Sequence, residues 1–159
     1  MPLDIEFLIE NNAIEGVRDP VMLNQAKHAW LWLMEQEELT ISVVLKLHKL
    51  LMLKDQTLRP NERGYLREVP VYVAGKEKLD HNFIHEFLDT WCYTTNHLAT
   101  VLNPIALHVA YEHIHPFVDG NGRTGRMLLN WTRLKLTDEP LLIIHEGEEQ
   151  QKYYDWFKR

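Results

Sequence analysis

The chain has 159 residues, of which 45% are apolar and 25% are charged, and its formal net charge is −6. These values are typical of one globular domain and exclude a disordered or collagen-like protein. Broad phosphate-backbone binding needs clustered Lys and Arg, so the acidic balance argues against a nucleic-acid partner. The single cysteine, Cys92, excludes an intramolecular disulfide and a Cys-rich zinc site, which fits a reducing compartment.

The N-terminus lacks the basic region and apolar stretch of a secretory signal. Since no segment approaches the roughly 18 apolar residues of a membrane helix, we expect a cytoplasmic protein with no membrane partner. No repeat or Gly/Ser/Pro-rich linker divides the sequence. We therefore predict one domain over residues 1–159, and homo-oligomerisation stays open.

The first half of the chain carries two helical patterns and then a change of period. An apolar stripe runs from Pro20 to Glu38, and Thr40 is a suitable N-cap for a second helix. The segment from Gly64 to Gly75 is instead β-branched and aromatic. It predicts a small hairpin or extended flap, which Pro70 confines to an edge.

Helical patterns return after this flap. They cover Phe83–Leu98, Pro104–Ile114, Arg126–Leu136 and, more briefly, Tyr153–Phe157. The sequence therefore predicts an all-α bundle with a small β-hairpin flap.

Residues 115–126, HPFVDGNGRTGR, form the segment that carries chemistry. Two turn signals, Asp-Gly and Asn-Gly, precede a helix, so successive backbone N–H groups and the positive helix end can bind an anion. Arg123 and Arg126 share a helix face and can reach the same phosphate chain. Asp119 is a suitable Mg²⁺ ligand, and His115 can accept a hydroxyl proton. Together these groups predict phosphate-ester transfer.

This segment resembles, at every fixed position, the Fic-family signature HxFx(D/E)GNGRxxR. The flanks are similar as well: Thr40, Leu47 and His48 resemble the family's early helix, and Gly64 to Gly75 resembles its target-docking flap. The resemblance covers roughly residues 5 to 159. It implies a Fic-type helical bundle and a protein adenylyltransferase, which transfers AMP from ATP to a protein hydroxyl.

The resemblance also implies a role for each motif residue. His115 would deprotonate the target hydroxyl, and Asp119 would hold Mg²⁺. The α- and β-phosphates would lie on Gly120, Asn121 and Gly122, through backbone amides and the Asn side chain. Arg123 and Arg126 would contact the β- and γ-phosphates. The target-docking residues of the flap would be Leu66, Arg67, Val69, Val71, Tyr72 and Val73, with self-modification of Tyr65 or Tyr72 an open alternative.

A second resemblance lies near the N-terminus, where Asn11 to Gly16 is similar to the family's inhibitory motif, (S/T)xxxE(G/N). It implies an inhibitory helix over residues 7–18, in which Glu15 pairs with Arg126 and keeps the ATP γ-phosphate out of place. Such competition is physically sensible, because a carboxylate and a phosphate fit the same guanidinium fork. Asn11 departs from the motif, which has Ser or Thr there.

Three alternatives stay open at this point. The same fold could remove AMP from a modified protein, transfer another nucleotide or phosphate, or act as a non-catalytic nucleotide-binding module. Lys in place of Gly122 would indicate the related kinases, so phosphorylation is disfavoured. For His48 a helix position satisfied by a neighbour is favoured over catalysis, and Tyr153 is expected to pack rather than to touch adenine.

Overall fold

The computed structural model describes residues 3–158 and confirms a helical bundle with a small β element. None of the helices in this range is long and apolar enough to cross a membrane. Short 3-10 turns lie at Pro60–Glu62 and His81–Phe83. In chain order the elements are α1 (Ile5–Ala13), α2 (Pro20–Met34), α3 (Ile41–Met52), β1 (Tyr72–Val73), β2 (Lys76–Glu77), α4 (Ile84–Leu102), α5 (Pro104–Ile114), α6 (Asn121–Lys135) and α7 (Glu148–Asp155).

Several helices begin where a short polar side chain caps the first turn. The side chain of Thr40 accepts a hydrogen bond from the Val43 N–H, as predicted, and Asp4 caps α1 in the same way. Asp19 and Asn103 each cap a helix whose first residue is proline. These caps satisfy backbone donors that have no partner within the helix, and the prolines fit because their N–H is absent there.

Helix α6 lies at the centre of the fold and is buried on almost every side. Its apolar residues, including Met127, Leu128 and Trp131, join the main core with side chains from α1 to α5. The side chains of Arg123 and Arg126 are nevertheless buried on the same helix. A buried polar face is unusual for a central helix, because buried charges need partners, and it marks the surface on which the site is built.

The flap differs in detail from the predicted hairpin between Gly64 and Gly75. Strands β1 and β2 pair antiparallel, with Tyr72 opposite Glu77, and the turn between them is formed by Ala74 and Gly75. Both turn residues have positive φ, as tight hairpins require. Gly75 therefore lies in the turn, the second strand lies beyond it, and residues 64–71 form an extended approach.

Several helix boundaries also differ from the sequence-based prediction. Helix α2 ends at Met34 instead of Glu38, and α4 continues to Leu102 instead of Leu98. Helix α6 begins at Asn121 instead of Arg126. Its first turns contain Gly122 and Gly125, where the side chains of Glu15 and Glu112 approach the helix too closely for a Cβ atom. The helix predicted over residues 7–18 ends at Ala13, and Gly16, with φ of 71°, closes the turn that carries Glu15. Helix α7 begins earlier than predicted, directly after Gly147.

Candidate active site

The loop between α5 and α6 begins at His115, whose backbone is left-handed, with φ of 48° and ψ of 64°. Its N–H still donates to the carbonyl of Tyr111, but Pro116 follows and prevents the helix from continuing. A non-glycine residue in this conformation costs about 1–3 kcal/mol, so the surrounding contacts must hold it there. The turn aims the chain at the start of α6.

The side chain of Asn121 braces the loop from inside. Its oxygen accepts the Phe117 N–H at 2.9 Å, and its amide donates to the Phe117 carbonyl at 2.9 Å. The buried amide is engaged within the loop at both its oxygen and its nitrogen, and the predicted phosphate contact of this side chain stays a prediction. The backbone N–H groups of the first turn of α6 have no partner inside the helix and can face an anion.

His48, on α3, braces the same loop from outside. Its Nδ1 accepts the Gly64 N–H at 2.9 Å, so Nε2 carries the proton and donates to the Asp119 carbonyl at 2.8 Å. The ring stacks on Phe117 with a centroid distance of 3.7 Å. Burial lowers the pKa of His48 to about 4, which keeps the ring neutral. The prediction that neighbours satisfy this histidine is confirmed.

The ring of His115 lines a cavity of about 300 Å³ together with Asp119, Gly122 and Arg126. Burial lowers the pKa of His115 to about 4, and the positive charges of Lys78 and Arg67 act in the same direction. A hydrogen bond from the ring to the Glu112 carbonyl opposes this shift. The imidazole is therefore neutral at physiological pH and can accept a proton.

Asp119 presents its carboxylate at the mouth of this cavity, with the side chain 54% exposed. Oδ1 accepts the Gly120 N–H at 2.8 Å, and Oδ2 accepts the Thr57 hydroxyl at 3.2 Å. Residues 3–158 contain no cluster of three or more His, Cys, Asp or Glu side chains arranged for a metal. A single exposed carboxylate instead suits Mg²⁺, which commonly binds one or two carboxylates plus substrate phosphates.

Arg123 is buried, yet part of its guanidinium has no partner. Nη1 lies 3.5 Å from Oδ2 of Asp55, and Nη2 lies 3.9 Å from the Asp119 carboxylate. Within the described part of the chain, Nε and Nη1 make no hydrogen bond. Although burial raises the pKa of Asp55, hydrogen bonds from Thr57 and the charge of Arg123 outweigh it and keep the group ionised. Unused donors on a held guanidinium favour anion binding.

Arg126, one turn further along, is fully engaged. Its Nε donates to Asn11 Oδ1 at 2.6 Å, and Nη2 donates to Glu15 Oε1 at 2.8 Å and to the Asn11 carbonyl at 3.2 Å. Nη1 donates to the Tyr153 hydroxyl at 3.3 Å. The structure thus brings together the predicted pair of Glu15 and Arg126. A Cβ at Gly122 would collide with the Glu15 carboxylate, so this glycine permits the approach.

Glu112 is a buried carboxyl group beside Arg126. One of its oxygens has no hydrogen-bond partner in residues 3–158, and burial raises the pKa of the group to about 8. It fits against α6 only because residue 125 is glycine. Near it, His108 Nε2 lies 2.8 Å from the Tyr153 hydroxyl. Residues of α5 and α7 and of the segment that begins with α1 thus surround Arg126 on the sides that do not face the cavity.

The flap residues divide into two groups. Val69, Tyr72 and Val73 are exposed and Val71 is partly exposed, as a docking surface requires. Arg67, by contrast, is 3% exposed, and Leu66 packs against the main core. The Arg67 side chain is therefore not available on the flap surface, whereas the docking role of Leu66, which is only partly buried, stays a prediction.

Sequence reasoning did not identify Asp55, Thr57 or the Arg126 contact of Tyr153 as parts of the site. Asn11 was noted only as a departure from a motif, and it proves to hold Arg126 and also to donate to the Arg123 carbonyl at 3.0 Å. These contacts join residues far apart in the chain, so no local spacing indicates them. The one available signal was the position of Asn11 ahead of Glu15.

Comparison with known proteins decides the family. The Fic/DOC family model matches residues 38–132. The chain belongs to the Fic/DOC family. Curated relatives agree: the "Protein adenylyltransferase Fic" of Drosophila erecta and that of Drosophila melanogaster are each 32% identical over 164 residues. Each match covers 99% of this chain and 31% of the relative, so the chain spans about a third of their length.

Solved structures of Fic proteins have the same fold. Fic-1 from C. elegans superposes with a TM-score of 0.74 at 23% identity, covering 95% of this chain and 53% of that one. A Fic domain containing signaling protein from Bacteroides thetaiotaomicron gives 0.77 at 21% identity, covering 95% and 69%. At this level of identity the likeness concerns the fold alone.

Proposed function

We propose that this chain transfers AMP from ATP to a hydroxyl side chain of a target protein and that Glu15 inhibits the reaction. The observation that carries the proposal is the neutral His115 beside the anion-binding start of α6, where Arg123 holds unused donors. Relatives that are named protein adenylyltransferases support the same chemistry. The lone buried Cys92 fits a cytoplasmic setting.

In the proposed reaction His115 accepts the proton of the target hydroxyl. The hydroxyl oxygen then forms a bond to the α-phosphorus, and the bond from that phosphorus to the oxygen bridging it to the β-phosphorus breaks. Pyrophosphate leaves, and AMP remains as a phosphodiester on the protein. The N–H groups of Asn121 and Gly122 and the guanidinium of Arg123 stabilise charge on the phosphates, because such transfers depend chiefly on positioning and electrostatics.

Asp119 is the residue that would hold Mg²⁺ in this scheme. Its exposed carboxylate at the mouth of the cavity fits an ion that arrives with the nucleotide. When bound, the ion neutralises phosphate charge. Thr57 fixes the carboxylate from behind through its hydroxyl.

The inhibitory role of Glu15 rests on its place at Arg126. The carboxylate takes the guanidinium that would otherwise contact the γ-phosphate. Because Glu15 lines the same cavity and already accepts a hydrogen bond from Arg126, we expect a triphosphate to reach this guanidinium only when Glu15 leaves. The target protein would pair with the exposed edge of the flap at Val69, Tyr72 and Val73.

The test is incubation with Mg²⁺ and ATP labelled at the α-phosphate in cell lysate. We expect weak protein labelling by the wild type, stronger labelling by Glu15→Ala and none by His115→Ala, since loss of a general base costs about 10²–10⁴-fold. Glu10→Ala, which removes the same charge from the same segment, should behave as the wild type.

Other outcomes would contradict the proposal. A signal only from γ-labelled ATP would indicate a kinase, and release of AMP from a pre-modified protein would indicate the reverse reaction. Tight ATP binding with no labelled product in any variant would indicate a binding module.

A further inference from the structure

Arg67 is a buried cation that carries no assigned role. It precedes the flap strands, its side chain is 3% exposed, and none of the ion pairs within residues 3–158 involves it. Burial of a charge without a carboxylate is costly, so a guanidinium persists there only where other groups satisfy its donors.

Backbone carbonyls from three segments satisfy these donors. Nε donates to the His115 carbonyl at 2.6 Å, and Nη2 donates to the Leu79 carbonyl at 2.6 Å and to that of Ile114 at 3.3 Å. Nη1 donates to the Val69 carbonyl at 2.8 Å. A planar fork with five N–H groups can make such a set, whereas an ammonium group cannot.

The bonded carbonyls lie at functionally distinct places. Those of Ile114 and His115 end α5, where carbonyls have no partner within the helix and the dipole favours a cation. Those of Val69 and Leu79 belong to the two arms of the flap, before β1 and after β2. The backbone adds further ties, from the residue 67 N–H to the Pro116 carbonyl at 2.9 Å and from the Leu79 N–H to the His113 carbonyl at 3.4 Å.

We propose that Arg67 is a positioning residue, which fixes His115 in its left-handed conformation and holds both arms of the flap against it. The base and the docking flap thereby form one unit, so a target segment that pairs with the flap arrives at a set distance from the imidazole. Within residues 3–158 no hydrogen bond or ion pair joins the Arg67 side chain to the first turn of α6, and ATP binding is separate from this role. The effect on turnover rests on the proposed function, whereas the structural tie does not.

The first arm of the test needs no nucleotide. Amide hydrogen exchange is compared in the wild type, Arg67→Lys, Arg67→Met and the control Lys76→Met, which removes one charge from the same flap. We expect the amides of residues 67 and 79 to exchange at least tenfold faster in both Arg67 variants, with the amide of Thr124 in α6 unchanged. Unaltered exchange at residues 67 and 79 would overturn the proposal.

The second arm measures turnover in a Glu15→Ala background. We expect kcat to fall at least tenfold in both Arg67 variants while the Kd for ATP, measured by calorimetry, stays within twofold of the parent. Parallel weakening of ATP binding would mean a general structural role and would overturn the proposal, as would an unchanged kcat. If Arg67→Met does not fold, Arg67→Lys carries both arms.

Absence of turnover in the Glu15→Ala parent itself would instead refute the proposed function. The exchange arm would still decide whether Arg67 holds the loop and the flap together, so the two failures are distinguishable.

Discussion

Two arginines of α6 lie one turn apart, equally buried, in very different surroundings. Arg123 faces Asp55 and Asp119 at 3.5 and 3.9 Å and has donors with no hydrogen-bond partner within residues 3–158. Arg126 donates hydrogen bonds to Asn11, Glu15 and Tyr153. Arg123 thus retains donors without hydrogen bonds beside two carboxylates, whereas Arg126 already bonds the Glu15 carboxylate. The difference suits the proposed phosphate site on α6, whose proposed inhibitor Glu15 lies in the turn after α1.

The largest expected effect comes from a substitution at Gly125, which lies on α6 beside Arg126. A Cβ there would collide with the buried Glu112 and come within 3.0 Å of the Tyr111 ring. We expect Gly125→Ala to lower the free energy of unfolding by about 3 kcal/mol in urea denaturation, since overpacked cores relax poorly.

Gly122→Ala is the matched comparison on the same helix. Its Cβ would meet only the ends of the Glu15 and Arg126 side chains, and Glu15 is partly exposed and free to move. We expect Gly122→Ala to lower the free energy of unfolding by less than about 1 kcal/mol. Equal losses of unfolding free energy for the two variants would contradict the contrast between the tightly packed surroundings of Gly125 and the displaceable Glu15 carboxylate beside Gly122.

We expect acid to lower the free energy of unfolding through buried histidines near both arginines. Burial lowers the pKa of His48 to about 4, on the Arg123 side, and that of His108 to about 3, on the Arg126 side. The unfolded chain binds these protons near pH 6.5, so stability falls as the pH drops from 6.5 towards 4. We expect each of these histidines to contribute a loss of about 2 kcal/mol between pH 6.5 and 4.5, and His115, whose pKa is also lowered to about 4, to add to it.

The measurement is urea unfolding across this range in a Glu112→Gln background. Burial raises the pKa of Glu112 to about 8, so that carboxyl makes the native state bind the extra proton and opposes the histidines between pH 8 and 4.5. An unfolding free energy that does not change with pH in this background would contradict the lowered pKa values of His48 and His108.

The smallest expected effect concerns the exposed contacts that fasten α1 to the C-terminal segment. His145 Nε2 lies 2.8 Å from Glu6 Oε1, and Arg18 pairs with Glu146. Exposed pairs contribute about 0.2–1 kcal/mol, so Glu6→Gln should raise basal AMP transfer no more than a few-fold. High salt should produce a similar rise in the wild type and a smaller one in the variant, where only the second of these pairs, Arg18 with Glu146, remains to be screened. A rise as large as that of Glu15→Ala would contradict this ranking.

The sequence alone indicates more of the surroundings of Arg123 than of those of Arg126. Residues 115–126 lie in one segment, so their spacing indicates the loop and both arginines, although α6 begins at Asn121 and not at the predicted Arg126. Glu15 is named only through the family resemblance. Asn11 and Tyr153 reach Arg126 across 115 and 27 residues, and no local pattern encodes such contacts.

Arg67 shows a different limit of sequence reasoning. Its docking role is implied by the resemblance of Gly64 to Gly75 to the family's target-docking flap, and that resemblance does not say whether this side chain is buried. The structure instead places it under the flap, because the carbonyls at the end of α5 need donors and a helix end attracts a cation. The partners of a backbone-binding arginine leave no mark in the sequence.

Nucleotide affinity tests most directly whether Glu15 occupies the γ-phosphate position at Arg126. Calorimetry would compare ATP with ADP, in the presence of Mg²⁺, for the wild type, Glu15→Ala, the control Glu10→Ala, and Glu15→Ala combined with Arg126→Met. We expect the wild type and the control to bind ATP and ADP equally. Glu15→Ala should favour ATP at least tenfold, which is about 1.4 kcal/mol, and the added Arg126→Met should abolish that preference. A preference for ATP in the wild type that Glu15→Ala leaves unchanged would contradict the account.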